Sequence, residues 1–371
     1  MNFDFSDDQK LLADQVRRYL DDQCSMAVVR EVLDGSGTYA PSVWQGLADM
    51  GLLGTAVAES HGGTGAGYLE LCLVAQQLGA HLAPVPFSST VYLLTEAIQL
   101  FGSEEQKQSW LPGICRGEVK GALAVAEGLE QVTPEQLTAT CANGRISGLK
   151  LAVTDGGLAD VYVVLAKDED TEADTGLYLV PRSEATAVEA VDTVDLTRDA
   201  ANVRFDGAQA QRLHGDGWEG LGRIYDRAAV LLAFEQLGGA QAALEMAVGY
   251  PQERFAFGRA IGSFQAIKHM MADMYVAMKL AENNCYYAAW ALENDAPDLP
   301  LAAATARVGA TQAFQLCARD NIQVHGGMGF TWEFDCHLYY RRSNYLALEL
   351  GSQSDWEGRL VDALPEPAAA G

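Results

Sequence analysis

The chain has no apolar run of the about eighteen residues that a membrane-spanning helix requires, so none is expected. Its opening residues, 1–10, are acidic and lack the basic-then-apolar order of a secretory signal, so a soluble cytoplasmic protein is expected. No two of its 7 cysteines stand in C-x-x-C spacing, and the number is odd. That excludes a disulfide framework or a zinc site as the natural reading and leaves reduced core thiols, with no metal ligands expected. Basic residues are scarce: 25 Lys and Arg against 50 Asp and Glu give a net charge of −25. A chain so charged repels nucleic acid and anionic membrane, so neither is an expected partner. For the same reason an anionic ligand needs a local basic site.

What is present is apolar substance: 49% of the 371 residues are hydrophobic, enough for a large core and for more than one domain. Residues 1–118 read as helical. Ser6 with Gln9 forms a capping box, followed by Leu11, Leu12, Val16 and Leu20 at helical spacing. Pro41 opens a second helix that ends near Gly51, and a glycine-rich turn at 58–65 precedes an apolar helix over 69–78. Pro84 and Pro86 break the chain before a further helix from Ser88. Residues 119–209 carry short apolar segments parted by Gly, Asn and Asp, which reads as a small antiparallel β domain with an exposed acidic loop at 167–174. Residues 218–363 return to long helical patterns, at 228–249, 265–291, 301–324 and 338–364, and four such helices suggest a bundle. The Pro/Ala-rich tail, 365–371, reads as frayed. Helices, then strands, then a bundle is not βαβ repetition, so a Rossmann fold is not expected.

Two motifs in the last region point to chemistry. The first is Arg254-Phe-Ala-Phe257-Gly258, running on to Phe264-Gln265; the second is Gln323-Val-His-Gly326-Gly327-Met-Gly329. Arginine offers a fork of donors that suits pyrophosphate, an aromatic ring beside it can stack on a flat base, and paired glycines let the backbone approach a phosphate. Taken singly, each motif also reads as a helix end with a glycine turn. His325, inside the second motif, has no ligand partner spaced near it and reads as packing beside that turn rather than binding metal. The pairs Tyr286-Tyr287 and Tyr339-Tyr340 read as core or interface aromatics.

Together and in this order, R-x-x-F-G, F-Q and Q-x-x-G-G-x-G resemble the C-terminal domain of the acyl-CoA dehydrogenases. Phe5-Ser-Asp-Asp-Gln9, Gly51-Leu-Leu-Gly54 with Glu59–Gly65, Gly148-Leu-Lys150 and Tyr340-Arg341-Arg342 extend the resemblance over nearly the whole chain. It implies an α-helical domain, a β-barrel domain and a four-helix bundle, assembled as a tetramer around FAD. By the same resemblance Arg254, Phe257, Gln265, Gln323, Gly326 and Gly327 contact FAD. The implied reaction is α,β-dehydrogenation of an acyl-CoA, with electrons passed on to an electron-transfer flavoprotein. In the family a glutamate before the Gly-Ser of the final loop removes the α-proton.

Counted without gaps from Arg341, that position is Leu350, which takes no proton, so no catalytic residue is assigned. Glu349 stands one residue earlier, and in a helix one residue turns a side chain by about 100°. The alternative location, on the first bundle helix, aligns with Ala228; Asp226 and Glu235 lie near it and read as a first-turn acid and as a polar packing group. The flavin-facing T-E-P of the middle domain is reduced to Glu127 in Ala124-Val-Ala-Glu127-Gly-Leu-Glu-Gln. An intact clamp, a weak cradle and no base resemble one subunit type of the α2β2 enzymes of bacterial steroid side-chain degradation, the partner being a related dehydrogenase subunit. The other readings are an active homotetramer with a displaced acid, an oxidase or nitroalkane-type relative, and a structural paralogue that binds no flavin.

Overall fold

The computed structural model describes residues 5–35, 37–128, 132–171 and 173–364. The tail 365–371, and residues 129–131 of the stretch after Glu127, lie outside the described residues. The chain divides into two compact units, one of Leu12–Val74 with Ala83–Ala228, the other of Met1–Leu11, Ala75–Leu82 and Ala229–Gly371.

The helices come first: α1 (Asp7–Gln23), α2 (Met26–Leu33), α3 (Pro41–Asp49), α4 (Tyr68–Ala80), α5 (Glu96–Phe101) and α6 (Glu104–Cys115). The box expected at α1 is present, Ser6 and Gln9 exchanging bonds of 2.9 and 3.2 Å, and α6 opens on a second, Ser103 with Gln106. Pro41 is the first residue of α3, and Gly51 just beyond its end is left-handed. Immediately before α5, residues Ser88–Thr95 form a π-helical segment, every residue of it buried. Its hydroxyls are satisfied internally: Ser89 donates to Asp155 at 2.7 Å, Ser88 accepts from Arg198 at 2.7 Å, and Thr90 accepts from the Gly121 N–H at 3.1 Å.

Eight strands follow: β1 (Gly121–Ala124), β2 (Thr140–Ala142), β3 (Arg145–Thr154), β4 (Val161–Asp168), β5 (Thr175–Pro181), β6 (Ala187–Ala190), β7 (Ala200–Gln209) and β8 (Gln211–Arg212). They pair in the order β6-β7-β3-β2-β4-β5-β8, with β1 also on β4. The sheet is mixed rather than antiparallel, because β1 and β2 both pair parallel with β4. Strand β4 is buried without interruption from Val161 to Ala166, the pattern of a strand covered on both faces. The acidic stretch 167–174 is likewise not all loop: Asp168 ends β4, is buried, and takes the Arg212 guanidinium at 2.6 Å.

The last region holds α7 (Gly217–Glu253), a ribbon of β9 (Phe255–Ala256) and β10 (Arg259–Ala260), α8 (Gln265–Glu293), α9 (Leu299–His325), α10 (Cys336–Leu346) and α11 (Gln353–Asp362). Helices α8, α10 and α11 all pack on α9. The expected fourth helix is two helices, broken where Leu350 and Gly351 take φ of 66° and 105° and restarted by a capping box of Ser352 with Asp355. Helix α7 approaches the end of α4 backbone to backbone: a Cβ on Gly238 would lie 1.8 Å from the Gln76 carbonyl oxygen, and one on Gly79 1.8 Å from that of Glu235. The 7 cysteines are all free and buried.

Candidate functional site

The first motif is a hairpin. Strands β9 and β10 pair antiparallel, Arg259 opposite Ala256, and the two residues between them, Phe257 and Gly258, both have positive φ, 54° and 79°. Positive φ at both central positions defines the type I′ turn, whose twist suits a tight hairpin. Glycine adopts it freely; a phenylalanine there is uncommon, and this one is 95% exposed. Strain together with an exposed aromatic ring is the signature of a residue kept for contact rather than for the chain's own core. Arg254, Arg259, Gln265 and Lys268 are exposed around it, giving the local basic patch that the acidic chain otherwise lacks. The Arg259 guanidinium lies 4.0 Å over the Phe264 ring, and Phe264 meets Phe257 edge-on at 6.2 Å.

The second motif is the end of α9 and the turn after it. Gln323 is exposed in the last helical turn, and Gly326 ends the helix at φ 60° and ψ −136°, which glycine alone adopts readily. Nothing stands within 4 Å of where a Cβ would project from Gly326 or Gly327, so the backbone there is open to a ligand.

The structure joins the two motifs through residues that the sequence reading did not group. Tyr250, near the end of α7, stacks on His325 with ring centroids 4.1 Å apart and planes 24° from parallel. Phe334 closes the cluster edge-on to Tyr250 at 6.1 Å and to His325 at 5.9 Å. His325 is buried as expected, its Nδ1 is 2.9 Å from the Asn321 carbonyl, and burial holds its pKa below the usual value. Among the described residues no group of three His, Cys, Asp or Glu could hold a metal ion. The signal for Tyr250 was present: it precedes Arg254 by one helical turn, and the Arg254 N–H donates to its carbonyl at 3.0 Å.

The acids around the expected base position have structural surroundings. Glu349 is buried, and its charge acts on Arg307, whose pKa burial pulls down to about 10 against the opposing pull of Glu349 and Glu235. Glu235 lies 3.7 Å from Arg342 and is buried with it. Asp226 is buried in mid-helix, because α7 begins at Gly217, and is not the first-turn acid expected. Ala228 is fully buried. A further acid, Glu96, escaped the sequence reading; it is buried between Arg227 at 2.8 Å and the Tyr68 hydroxyl at 2.7 Å. In the β region the Glu127 carboxylate is engaged internally, by Lys150 at 2.6 Å, by Thr138 through N–H and hydroxyl, and by the Ala139 N–H.

Comparison with known proteins decides the family. The acyl-CoA dehydrogenase N-terminal domain matches residues 6–118, and the acyl-CoA dehydrogenase C-terminal domain matches residues 215–354. The chain belongs to the acyl-CoA dehydrogenase family. Among its relatives, acyl-CoA dehydrogenase IpdE2 of Mycobacterium tuberculosis is 32% identical over 95% of this chain and 96% of its own. Acyl-CoA dehydrogenase FadE27 of the same organism is 30% identical over the whole of both chains. Among solved structures, the ChsE4-ChsE5 complex from Mycobacterium tuberculosis superposes with a TM-score of 0.90 at 27% identity over 100% of both chains. A variant of the Tcur3481-Tcur3483 steroid ACAD superposes at 0.87 with 31% identity, covering 96% of this chain and 97% of that one. The acyl-CoA dehydrogenase fold is thus established, with its helical N-terminal, β-sheet middle and helical C-terminal regions, and FAD-dependent dehydrogenation of acyl-CoA is the family activity. Among the described residues no helix is long and apolar enough to cross a membrane.

Proposed function

We propose that this chain is the clamp-bearing, base-lacking subunit of a heterotetrameric acyl-CoA dehydrogenase, with a related dehydrogenase subunit as its partner. The observation that carries the reading is the contrast between its two functional regions. The clamp residues Arg254, Phe257, Gln265, Gln323 and Gly327 are exposed on an ordered hairpin and a glycine turn. The base position is Leu350, with Glu349, Glu235, Asp226 and Glu96 all buried.

The residues present fit FAD on the clamp side. The open space at Gly326 and Gly327 admits a diphosphate to main-chain N–H groups, Arg254 supplies charge, and the exposed Phe257 ring supplies a stacking face for adenine. When bound, FAD supplies the two-electron acceptor for the dehydrogenation. On the cradle side Glu127 makes only internal bonds among those described, which supports placing the isoalloxazine on the partner's middle domain. The domain limits in this reading are 1–118, 119–209 and 218–363. The likeness to a chain of the ChsE4-ChsE5 complex and to a steroid ACAD supports a heteromeric assembly and a steroid side-chain acyl-CoA as substrate. An electron-transfer flavoprotein as acceptor, and a cytoplasmic location, rest on the family likeness.

The test is flavin content and activity of the purified chain, alone and co-expressed with a related dehydrogenase subunit. FAD and acyl-CoA oxidation that appear only in the co-expressed complex support the proposal. Near one FAD per chain, bleached by an acyl-CoA in the chain alone, would mean an active homotetramer and a displaced acid.

A further inference from the structure

We infer that Tyr250 and His325 act as positioning residues for adenosine binding: their stacked rings are a strut that sets the spacing between the Arg254–Gln265 hairpin and the Gly326–Gly327 turn. The inference rests on the reading of these two motifs as one FAD clamp.

Neither motif is held in place by its own hydrogen bonds to the other. The hairpin hangs from the end of α7, where the Arg254 N–H donates to the Tyr250 carbonyl at 3.0 Å and the Ile261 N–H to the Arg254 carbonyl at 2.8 Å. The glycine turn hangs from the end of α9, whose last residue is His325. Two helix ends approach one another here, and what stands between them is one ring pair at 4.1 Å and 24°. That separation is close to the contact limit of flat rings, so the pair resists compression; apolar side chains of similar volume have no flat face and allow the ends to slide.

The histidine is locked on its other sides. With a carbonyl as partner, its Nδ1 carries the proton and donates to Asn321, which fixes the ring plane against the axis of α9. Phe334 stands edge-on to both rings and blocks sideways escape. The turn is packed directly on the same residue: a Cβ added at Gly329 would lie 3.1 Å from the His325 Cβ and 2.6 Å from the Ile322 carbonyl oxygen. A shift of the His325 ring is therefore passed to the glycine turn, and a shift of the Tyr250 ring to Arg254.

Arginine and paired glycines that grip one diphosphate must be spaced to about half an ångström, since a clamp loosened by an ångström loses most of its affinity. A strut that fixes this spacing acts on adenosine diphosphate and FAD alike. It has no effect on a flavin that lacks the adenosine half.

The experiment compares Tyr250→Phe, Tyr250→Leu, His325→Gln and Arg254→Ala in the full chain, purified with any companion subunit it carries. Binding of ADP and of FAD is measured by titration calorimetry, binding of FMN serves as the control, and the thermal midpoint is read in parallel. Tyr250→Phe keeps the ring and is expected to bind ADP as the parent does. Tyr250→Leu is expected to weaken ADP and FAD about tenfold, in the range of one aromatic contact, and to leave FMN unchanged. Should Tyr250→Leu not fold, His325→Gln retains a donor for the Asn321 carbonyl but removes the stacked face, and the same loss is expected of it. Unchanged ADP affinity in these variants, with a loss in Arg254→Ala, overturns the strut and leaves the clamp standing. Unchanged affinity in Arg254→Ala as well overturns the clamp reading and the strut with it.

Discussion

The guanidinium of Arg307 donates to the main-chain carbonyl of Glu349 at 2.7 Å, and with the same nitrogen to that of Leu346. Its other arm reaches the Gln236 amide oxygen at 2.5 Å, and Gln236 in turn donates to Thr311 at 3.1 Å. Helix α10 ends on these carbonyls, which a helix terminus leaves without partners of its own. A buried cation on α9 satisfies them and so holds the loop that presents Leu350. The loop is fixed in place although it carries no base.

Removing that cation tests the point. Arg307→Met leaves the carbonyls of Leu346 and Glu349 buried without their donor and the charges of Glu235 and Glu349 less compensated. Loss of about 3–5 kcal/mol of stability is expected, as for breaking a buried ionic network from one side. Glu349→Gln, in contrast, is expected to change turnover of the assembled enzyme by less than about twofold. A general base contributes about 10²–10⁴-fold, and a fall of that size in Glu349→Gln would make Glu349 the base.

The pair Lys150–Glu127 predicts a pH profile. Burial raises the Glu127 pKa, but bonds from Lys150 and Thr138 and then the Lys150 charge outweigh it and hold the carboxyl below its usual value. A depressed acid adds stability above the ordinary carboxylate pKa, and that share is lost as pH falls through the folded value. Burial also lowers Lys150 from 10.5 to about 8, against the pull of Glu127. Between those two values the unfolded chain holds a proton that the folded chain has released, so stability is expected to rise with pH across that window. Urea unfolding at pH 7, 9 and 10.5 reads it out. The rise should flatten in Lys150→Met, and an equal rise in that variant would assign it to another group.

Gly238→Ala probes the contact of α7 with α4. The new methyl has nowhere to go but into the Gln76 carbonyl, 1.8 Å away, so the helices must separate. A loss of about 1–3 kcal/mol is expected, the range of overpacking. An unchanged unfolding midpoint would show that the two helices slide apart freely.

Phe257→Ser separates binding from folding. A ring that is 95% exposed contributes nothing to the core, so the midpoint should move by no more than about 0.5 kcal/mol. Stacking on adenine is worth about 1–3 kcal/mol, so FAD affinity should fall by about five- to 150-fold. Equal affinity in the variant would remove Phe257 from the clamp.

Much of this fold was written in local signals. Ser6 and Gln9 announced α1, Pro41 announced α3, and the spacing from Arg254 to Gln265 announced a hairpin leading into a helix. These readings held because each depends on neighbours within a turn. What escaped was set by distant partners. The parallel pairing of β1 and β2 on β4 has no mark in any of the three segments, since strand direction is decided by connection and packing. The break between α10 and α11 was half visible, in Gly351; that Leu350 also turns left-handed is imposed from outside, for Arg307 on another helix holds the carbonyls on its N-terminal side and Trp356 donates to its own carbonyl at 3.1 Å. The family resemblance located the clamp, but the Tyr250–His325 stack lay outside its motifs.

The π-helical segment Ser88–Thr95 has a consequence for how this chain tolerates change in length. A wide turn holds one more residue than an α-helical one over the same rise, so deleting a single residue there is the simple way to regularise it. The deletion would leave the buried segment helical, yet it would rotate everything after it by about 100°. Glu96 begins the next helix and meets Arg227 at 2.8 Å. After such a rotation it would face a different wall of the core, leaving a buried guanidinium opposite apolar carbon. Sequences related to this one are therefore expected to vary in identity across 88–95 but to keep its residue count, and a relative that is one residue shorter there should also have replaced Arg227.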